Sequence, residues 1–349
     1  MTSTPTLPPT MRAAVWHGPG LPLTIENLDT PKVERPGDVV VRVRTAMFGA
    51  ALARAMRVGH PRMVAPAVLG TVFAGDVVAV GAGAAPLHPG QRVTIDPHPS
   101  CGQCPNCRGG QPALCTTAYR IEPGAHAEYV CIRGALTDHL APIPDGVSYP
   151  AAMLTEIVAC VLDATEAADI GPGQDVLVLG CGLVALIQIQ LARCRGADRV
   201  FCAVNRPERA ASVAWAGGIA LESGERCADQ LAAATDGRGA DVVIEAVGSA
   251  QTYQLAFELV GDGGVVVGFG GCPADTVFAM DPNAMHYRRI RYVGSYHYRP
   301  GRFEVAAQLV ENGSISVDPL ITHRLPLARI EEALTLFSKP DRVVLVIEP

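Results

Sequence analysis

The chain has 349 residues, of which 49% are hydrophobic and 36 are glycine, a length that favours two compact domains over a single core. A formal net charge of −6, with arginines scattered along the chain, excludes an extended basic surface for nucleic acid or an anionic membrane. No apolar run reaches the roughly 18 residues of a membrane span, so we expect a small-molecule partner.

Short runs typical of β-strands occupy the chain up to about Tyr149. Prolines and glycines between these runs indicate turns. We therefore predict an all-β region, with strands over residues 13–15, 39–43, 75–80, 92–95 and 127–132.

One loop of this region carries a cluster of cysteines. Four thiolates so close together suit a tetrahedral zinc ion and leave no open position for substrate, so we predict one structural zinc per chain. Glycines and a proline inside the loop argue against two disulfides or four unrelated thiols. The other seven cysteines stand singly, which favours a reducing cytoplasm. The predicted zinc ligands are Cys101, Cys104, Cys107 and Cys115.

Strands and helices alternate after Pro150, which predicts a doubly wound parallel sheet and an α/β fold. The final stretch contains a strand, a helix and a closing strand that we expect to return to the first domain. The predicted strands cover 175–179, 200–204, 242–246, 264–268, 290–295 and 343–347, and the predicted helices cover 183–193, 207–216, 250–259 and 303–312.

A G-x-G-x-x-A motif follows the strand at 175–179 and opens the next helix. Gly180 permits the tight turn, Gly182 lets the backbone approach a pyrophosphate, and Ala185 allows close helix packing. Leu183 and Val184 complete the expected phosphate site. A purely structural glycine turn is the alternative, but the strand, helix and second strand follow in the order of a dinucleotide fold.

The second strand of this fold ends at Asn205 and Arg206, where a dinucleotide-binding protein reads the adenosine ribose. No carboxylate stands there for the ribose hydroxyls. Arg206, with Asn205 and Arg209, could neutralise a 2′-phosphate, so NADP(H) is favoured over NAD(H). The alternative is that Arg206 is a solvated cation at the start of a helix.

With these motifs the sequence resembles the zinc-type medium-chain dehydrogenases/reductases, close to the sorbitol and threonine dehydrogenase branch, along nearly its whole length. The resemblance implies a GroES-like catalytic domain with the zinc lobe over residues 1–155, a Rossmann domain over 156–296, and a return to the first domain over 297–349. The matching segments are 68–70, 73–75, 90–93, the cysteine loop, 127–130, the Gly180 motif, 245–248 and 290–295.

Members of that family hold a second, catalytic zinc through a cysteine, a histidine and a third ligand. At the first two positions this sequence has Phe48 and Thr71, and Val72 replaces the neighbouring glutamate. Ala50 and Ala51 stand where the family has a hydroxyl and an acid for proton relay. We therefore expect no catalytic zinc.

Glu156 alone remains at the third ligand position. A carboxyl group in an apolar pocket, with no cation beside it, should be protonated near neutral pH and could act as an acid catalyst. The alternative is an inert remnant of the ligand. By resemblance, His126, His60 and Tyr119 map to the walls of the substrate pocket, although each alone is more often a packing or surface residue.

The resemblance also places two loops at the nicotinamide end of the cofactor. Their residues are Val247 and Gly248, and Phe269, Gly270 and Gly271.

These features predict an NADPH-dependent reductase or dehydrogenase of a small polar metabolite, such as a keto-sugar, an aminocyclitol or a biosynthetic intermediate. One alternative is a C=C or C=N reductase of the same family. A second is a cofactor-binding protein that has lost catalysis. The strand at 290–295 resembles the edge through which relatives pair, so a homodimer or homotetramer is expected.

Overall fold

The computed structural model describes residues 7–59, 64–84, 86–116 and 124–349. Up to residue 167 its elements are, in chain order, β1 (Thr10–Trp16), β2 (Leu23–Asp29), β3 (Val39–Met47), α1 (Ala50–Val58), β4 (Ala67–Val68), β5 (Phe73–Val80), β6 (Arg92–Ile95), α2 (Pro105–Arg108), β7 (Tyr129–Ile132), β8 (Leu140–Pro142), α3 (Tyr149–Met153) and α4 (Thr155–Ala167).

The remaining elements continue in the same order along the chain. They are β9 (Asp175–Leu179), α5 (Leu183–Cys194), β10 (Arg199–Val204), α6 (Ala210–Trp215), β11 (Ile219–Glu222), α7 (Glu225–Ala234), β12 (Ala240–Glu245), α8 (Ala250–Leu259), β13 (Val260–Gly268), α9 (Pro282–Tyr287), β14 (Arg291–Gly294), α10 (Arg302–Glu311), β15 (Ile321–Pro326), α11 (Ala333–Phe337) and β16 (Val344–Glu348).

The chain divides into two compact units. The first contains Met1–Glu156 and Val310–Pro349, and the second contains Ile157–Leu309. The return to the first domain was expected at residue 297, whereas residues up to 309 group with the second unit. Within the second unit, Arg299 and Arg302 form ion pairs with carboxylates of α4.

Antiparallel pairing dominates the first unit. Among its described strands, one sheet runs β15-β16-β3-β5-β6-β8, with β7 also paired to β3, and a smaller sheet runs β2-β1-β4. In β3 the side chains of Val39, Val41 and Val43 are buried on one face, and they pack into a cluster with Phe73 and Ile95. This core holds the carboxyl end of β6, from which the chain passes to the cysteine loop.

The second unit is built on a parallel sheet in the order β11-β10-β9-β12-β13-β14. All five residues of β9 are buried, as expected for a central parallel strand covered on both faces. Counted from β9, the order is that of a Rossmann fold, so the predicted doubly wound sheet is confirmed. The order reverses between β9 and β12, and ligands of such sheets bind beyond the carboxyl ends of strands at that point.

None of the helices in the described part of the chain combines the length and apolar character that crossing a bilayer would require.

Candidate functional site

The four predicted zinc ligands lie together in the first unit. Their ligand atoms are all within 4.8 Å of one another. The Cys104 and Cys107 sulfurs are 3.4 Å apart, and those of Cys101 and Cys107 are 4.0 Å apart. Sulfur atoms at the corners of a zinc tetrahedron are about 3.8 Å apart when Zn–S is about 2.3 Å. The cluster therefore has the dimensions of a four-thiolate zinc site.

Backbone amides support the negative charge that such a site needs. The N–H groups of Cys101, Cys104 and Cys107 point at the sulfurs of Cys115, Cys101 and Cys104, at 3.4, 3.3 and 3.5 Å respectively. Backbone N–H groups, first from Thr116 and then from Cys107, lower the pKa of Cys104 to about 6, whereas desolvation raises the pKa of Cys107 to about 12. A thiolate is the form that binds zinc.

The glycine motif lies at the reversal point of the parallel sheet. Gly180 has a φ of +113°, and a Cβ there would lie 3.1 Å from Val247. Gly182 is the N-cap of α5, where a Cβ would meet nothing within 4 Å. Leu183 and Val184 form the first turn, whose N–H groups have no partner within the helix. This open helix start can bind a pyrophosphate.

The predicted adenosine-binding residues follow β10 but differ in accessibility. Asn205 is exposed and Arg206 is half-buried. The thiol of Cys181 in the glycine motif donates to the Asn205 side chain over 3.5 Å, which connects the two loops. Arg209 retains only 4% of its surface, so the structure favours Asn205 and Arg206 over Arg209 as contacts for a 2′-phosphate.

The two loops assigned to the nicotinamide end contact each other within the second unit. Phe269 and Gly270 donate their backbone N–H groups to the Glu245 carbonyl, over 3.0 and 2.9 Å. Gly248 has a φ of +84°, and a Cβ there would lie 2.5 Å from the Gly271 carbonyl oxygen. The backbones of the loops after β12 and β13 therefore lie in direct contact with each other.

Glu156 lies in the first turn of α4 and is buried, and an imidazole lies beside it where only apolar neighbours were expected. His98 Nε2 is 2.8 Å from Glu156 Oε1. His98 follows β6, and its backbone N–H donates to Asp96 over 3.0 Å. His98 was not among the predicted site residues, although its position three residues before Cys101 was a visible signal. The two side chains form a carboxylate–imidazole pair that can hold and move a proton.

The resemblance placed His126 in the wall of the substrate pocket, whereas the described part of the first unit encloses it. Its side chain is 0% exposed, and its ring stacks on Phe48 with 6.0 Å between ring centroids. Nε2 lies 3.3 Å from the Met47 carbonyl oxygen, and burial lowers the pKa of His126 to about 4. A neutral, enclosed imidazole cannot contact substrate. The candidates His60 and Tyr119 lie outside the described residues.

The two units match known families separately. The model of the alcohol dehydrogenase GroES-like domain matches residues 35–145, and that of the zinc-binding dehydrogenase matches residues 184–312. L-galactonate-5-dehydrogenase of Escherichia coli (strain K12) is 31% identical over 85% of this chain and 87% of its own length. D-altritol 5-dehydrogenase of Agrobacterium fabrum is 30% identical over 87% of this chain and 89% of its own.

The chain belongs to the zinc-type medium-chain dehydrogenase/reductase family. A solved structure agrees: a protein of Sinorhizobium meliloti 1021, described as a zinc-binding dehydrogenase bound to NADP, has a TM-score of 0.88 at 29% identity. That match covers 97% of this chain and 99% of the other. As a member of the medium-chain family, the protein is an oxidoreductase with a GroES-like domain and a Rossmann-like domain.

By resemblance, Phe48 and Thr71 stand at positions from which members of the family bind a catalytic zinc. Phe48 is buried and packs against Phe337, with ring centroids 5.8 Å apart. Thr71 is exposed and Val72 is buried. Ala50 and Ala51 open α1. Phenyl and aliphatic side chains have no atom that binds zinc.

Proposed function

We propose that this protein is an NADP(H)-dependent dehydrogenase or reductase that acts on a small polar metabolite without a catalytic zinc. The NADP-bound Sinorhizobium meliloti structure supports the cofactor, and the altritol and galactonate dehydrogenases support a polyhydroxylated substrate. We infer a keto-sugar, an aminocyclitol or a secondary-metabolite intermediate of similar polarity.

Each group in the second unit would hold a different part of the cofactor. The open start of α5 at Gly182 binds the pyrophosphate, and Asn205 and Arg206 receive the 2′-phosphate. Val247 is half exposed two residues after the end of β12, where it can contact the nicotinamide ring. When bound, the nicotinamide supplies or accepts the hydride.

The observation that carries the proposal is the 2.8 Å contact between His98 and Glu156. When a hydride adds to a carbonyl carbon, the bonding electron pair moves to the oxygen, which then needs a proton. A carboxylate that accepts a bond from one ring nitrogen orients the imidazole and stabilises its protonated form. We propose that His98 gives the proton in reduction and takes it back in oxidation, with Glu156 as its anchor.

The test measures NADPH oxidation with a panel of ketones, enones and imines for the wild type and for His98→Gln and Glu156→Gln. Loss of a general acid should lower kcat about 100-fold or more, with little change in the KM for NADPH. His17→Gln is the matched control, because His17 also faces a carboxylate of the first unit, with Nε2 2.7 Å from Glu26 Oε1. Its kcat should stay near that of the wild type.

Three outcomes would overturn this proposal. If only enones or imines are reduced, the reaction is C=C or C=N reduction. If NADPH binds tightly but no substrate in the panel turns over, the protein is a non-catalytic cofactor-binding protein. If elemental analysis finds two zinc ions per wild-type chain and Glu156→Gln retains only one, a catalytic metal is present.

We also propose a homodimer or homotetramer that assembles through β14. This strand is at the edge of the parallel sheet among the described strands, and Tyr292 on it is partly exposed. An unpaired strand edge offers backbone groups to a second copy of itself.

A further inference from the structure

A buried carboxylate stands at the carboxyl end of β12. Glu245 is the last residue of that strand, and its side chain is 0% exposed. The residues before it, Val242, Val243 and Ile244, are apolar and buried. A carboxylate in such surroundings is costly unless hydrogen bonds compensate for the lost water, so its position requires an explanation.

One carboxylate oxygen organises the turn that follows the strand. Glu245 Oε1 accepts hydrogen bonds from the backbone N–H groups of Val247 and Gly248, over 2.9 and 2.8 Å, and from the Thr252 hydroxyl over 2.7 Å. These donors lie in the loop and in the first turn of α8. The side chain therefore fixes the path of the chain from strand to helix.

The same residue also holds the neighbouring loop. The Glu245 carbonyl accepts the N–H groups of Phe269 and Gly270, and the Tyr253 hydroxyl donates to the Gly270 carbonyl over 2.8 Å. A Cβ at Gly270 would lie 2.6 Å from Glu245 Oε2 and 2.3 Å from the Gly248 nitrogen. Both loops are thus held around the Glu245 side chain, and at position 270 they lie so close together that only glycine fits.

From this convergence we propose that Glu245 is a positioning residue for the nicotinamide. The inference rests on the proposed function, because it assigns these two loops to an NADP(H) ring. Glu245 acts through the backbone of Val247, Gly248 and Gly270 and does not contact the cofactor itself. Its role is to keep the two loops in place before the ring arrives, which reduces the entropy lost on binding.

A merely structural role of Glu245 predicts a different binding result from a positioning role. The binding of two nucleotides distinguishes the two roles. NADPH contains the nicotinamide, whereas 2′-phospho-ADP-ribose contains the rest of the cofactor without the ring. Glu245→Ala should weaken NADPH binding about 10-fold or more while leaving the fragment within about twofold of the wild type. Binding is measured by fluorescence for NADPH and by calorimetry for the fragment.

Two further variants keep the test decisive if Glu245→Ala folds poorly. Glu245→Gln retains an oxygen that can accept the same three bonds, so its NADPH affinity should stay within about threefold of the wild type. Thr252→Val removes one donor only and should have an intermediate effect on NADPH, again without an effect on the fragment.

Asp175→Asn is the matched control. Asp175 is also a buried carboxylate of this unit, 3% exposed, but it begins β9 at the opposite end of the sheet and pairs with Arg199. The control should lower the melting temperature and leave the affinity for both nucleotides unchanged.

The inference is overturned if Glu245→Ala binds NADPH like the wild type, if it loses NADPH and the fragment equally, or if Glu245→Gln is as impaired as Glu245→Ala. A wild-type protein that binds the fragment but gains no affinity from the nicotinamide overturns it as well, and leaves the cofactor assignment intact. A wild type that binds neither nucleotide overturns the proposed function together with this inference.

Discussion

Replacing His126 with phenylalanine should remove the acid sensitivity that this residue gives to the folded first unit. His126 is fully buried, and burial lowers its pKa from 6.5 to about 4. In the unfolded chain the same imidazole titrates near its ordinary value. Between the two pKa values the unfolded state binds a proton that the folded state does not, so acid favours unfolding.

The direction and size of this pH effect on stability follow from the depressed pKa of His126. At pH values well above 6.5 the imidazole is neutral in both states and adds no pH dependence. As the pH falls below 6.5 stability is lost, and the loss ends below about pH 4, where the folded state also takes up the proton. Between about pH 8 and about pH 5 the loss is about 2 kcal/mol.

Urea unfolding of the wild type and of His126→Phe at about pH 8 and about pH 5 measures this difference. Phenylalanine retains an aromatic ring that can stack on Phe48 but has no proton to bind. The variant should lose about 2 kcal/mol less than the wild type over this interval. His88→Phe, at an exposed position of the same unit, should behave like the wild type. Equal losses in the wild type and His126→Phe would refute the reasoning.

Two further predictions concern the metal and the cofactor. Cys107→Ser should reduce the zinc content from about one per chain to nearly none and lower the melting temperature, because metal binding contributes folding energy. Cys194→Ser, at an exposed position outside the cluster, should change neither quantity, and full zinc retention in Cys107→Ser would contradict the four-thiolate site. Arg206→Ala should reduce the preference for NADPH over NADH about 10-fold to 100-fold, since it removes charge-assisted bonds to the 2′-phosphate. Arg226→Ala is the control for this variant, because Arg226 forms a surface ion pair with Glu222. An unchanged preference for NADPH in Arg206→Ala would mean that other residues discriminate between NADPH and NADH.

The fold was predictable wherever the buried residues of an element form a continuous pattern in the sequence. The central strand β9 has five buried residues in succession and was predicted with its observed bounds. Strand β11 was missed, because three of its four side chains are exposed at the sheet edge. Strand β2, also an edge strand, was missed because four of its seven residues are polar and only Leu23 is buried.

The site was predictable where spacing along the chain fixes geometry. The cysteine loop and the glycine motif are local, so their residues were found directly. The partnership of His98 and Glu156 joins residues 58 positions apart, which no local pattern encodes. The enclosure of His126 likewise depends on packing against Phe48. Glu245 was visible as part of a matching segment, but its role emerged only when the loops after β12 and β13 were seen to meet.

The cysteine loop has a consequence for how long the protein survives in a cell. None of its residues from 101 to 116 is buried, so hydrophobic packing contributes little to its order. A bound ion would be the main source of that order, and a chain made during metal starvation would expose this stretch to proteases. We expect the abundance of the enzyme to follow the supply of zinc to the growing cell.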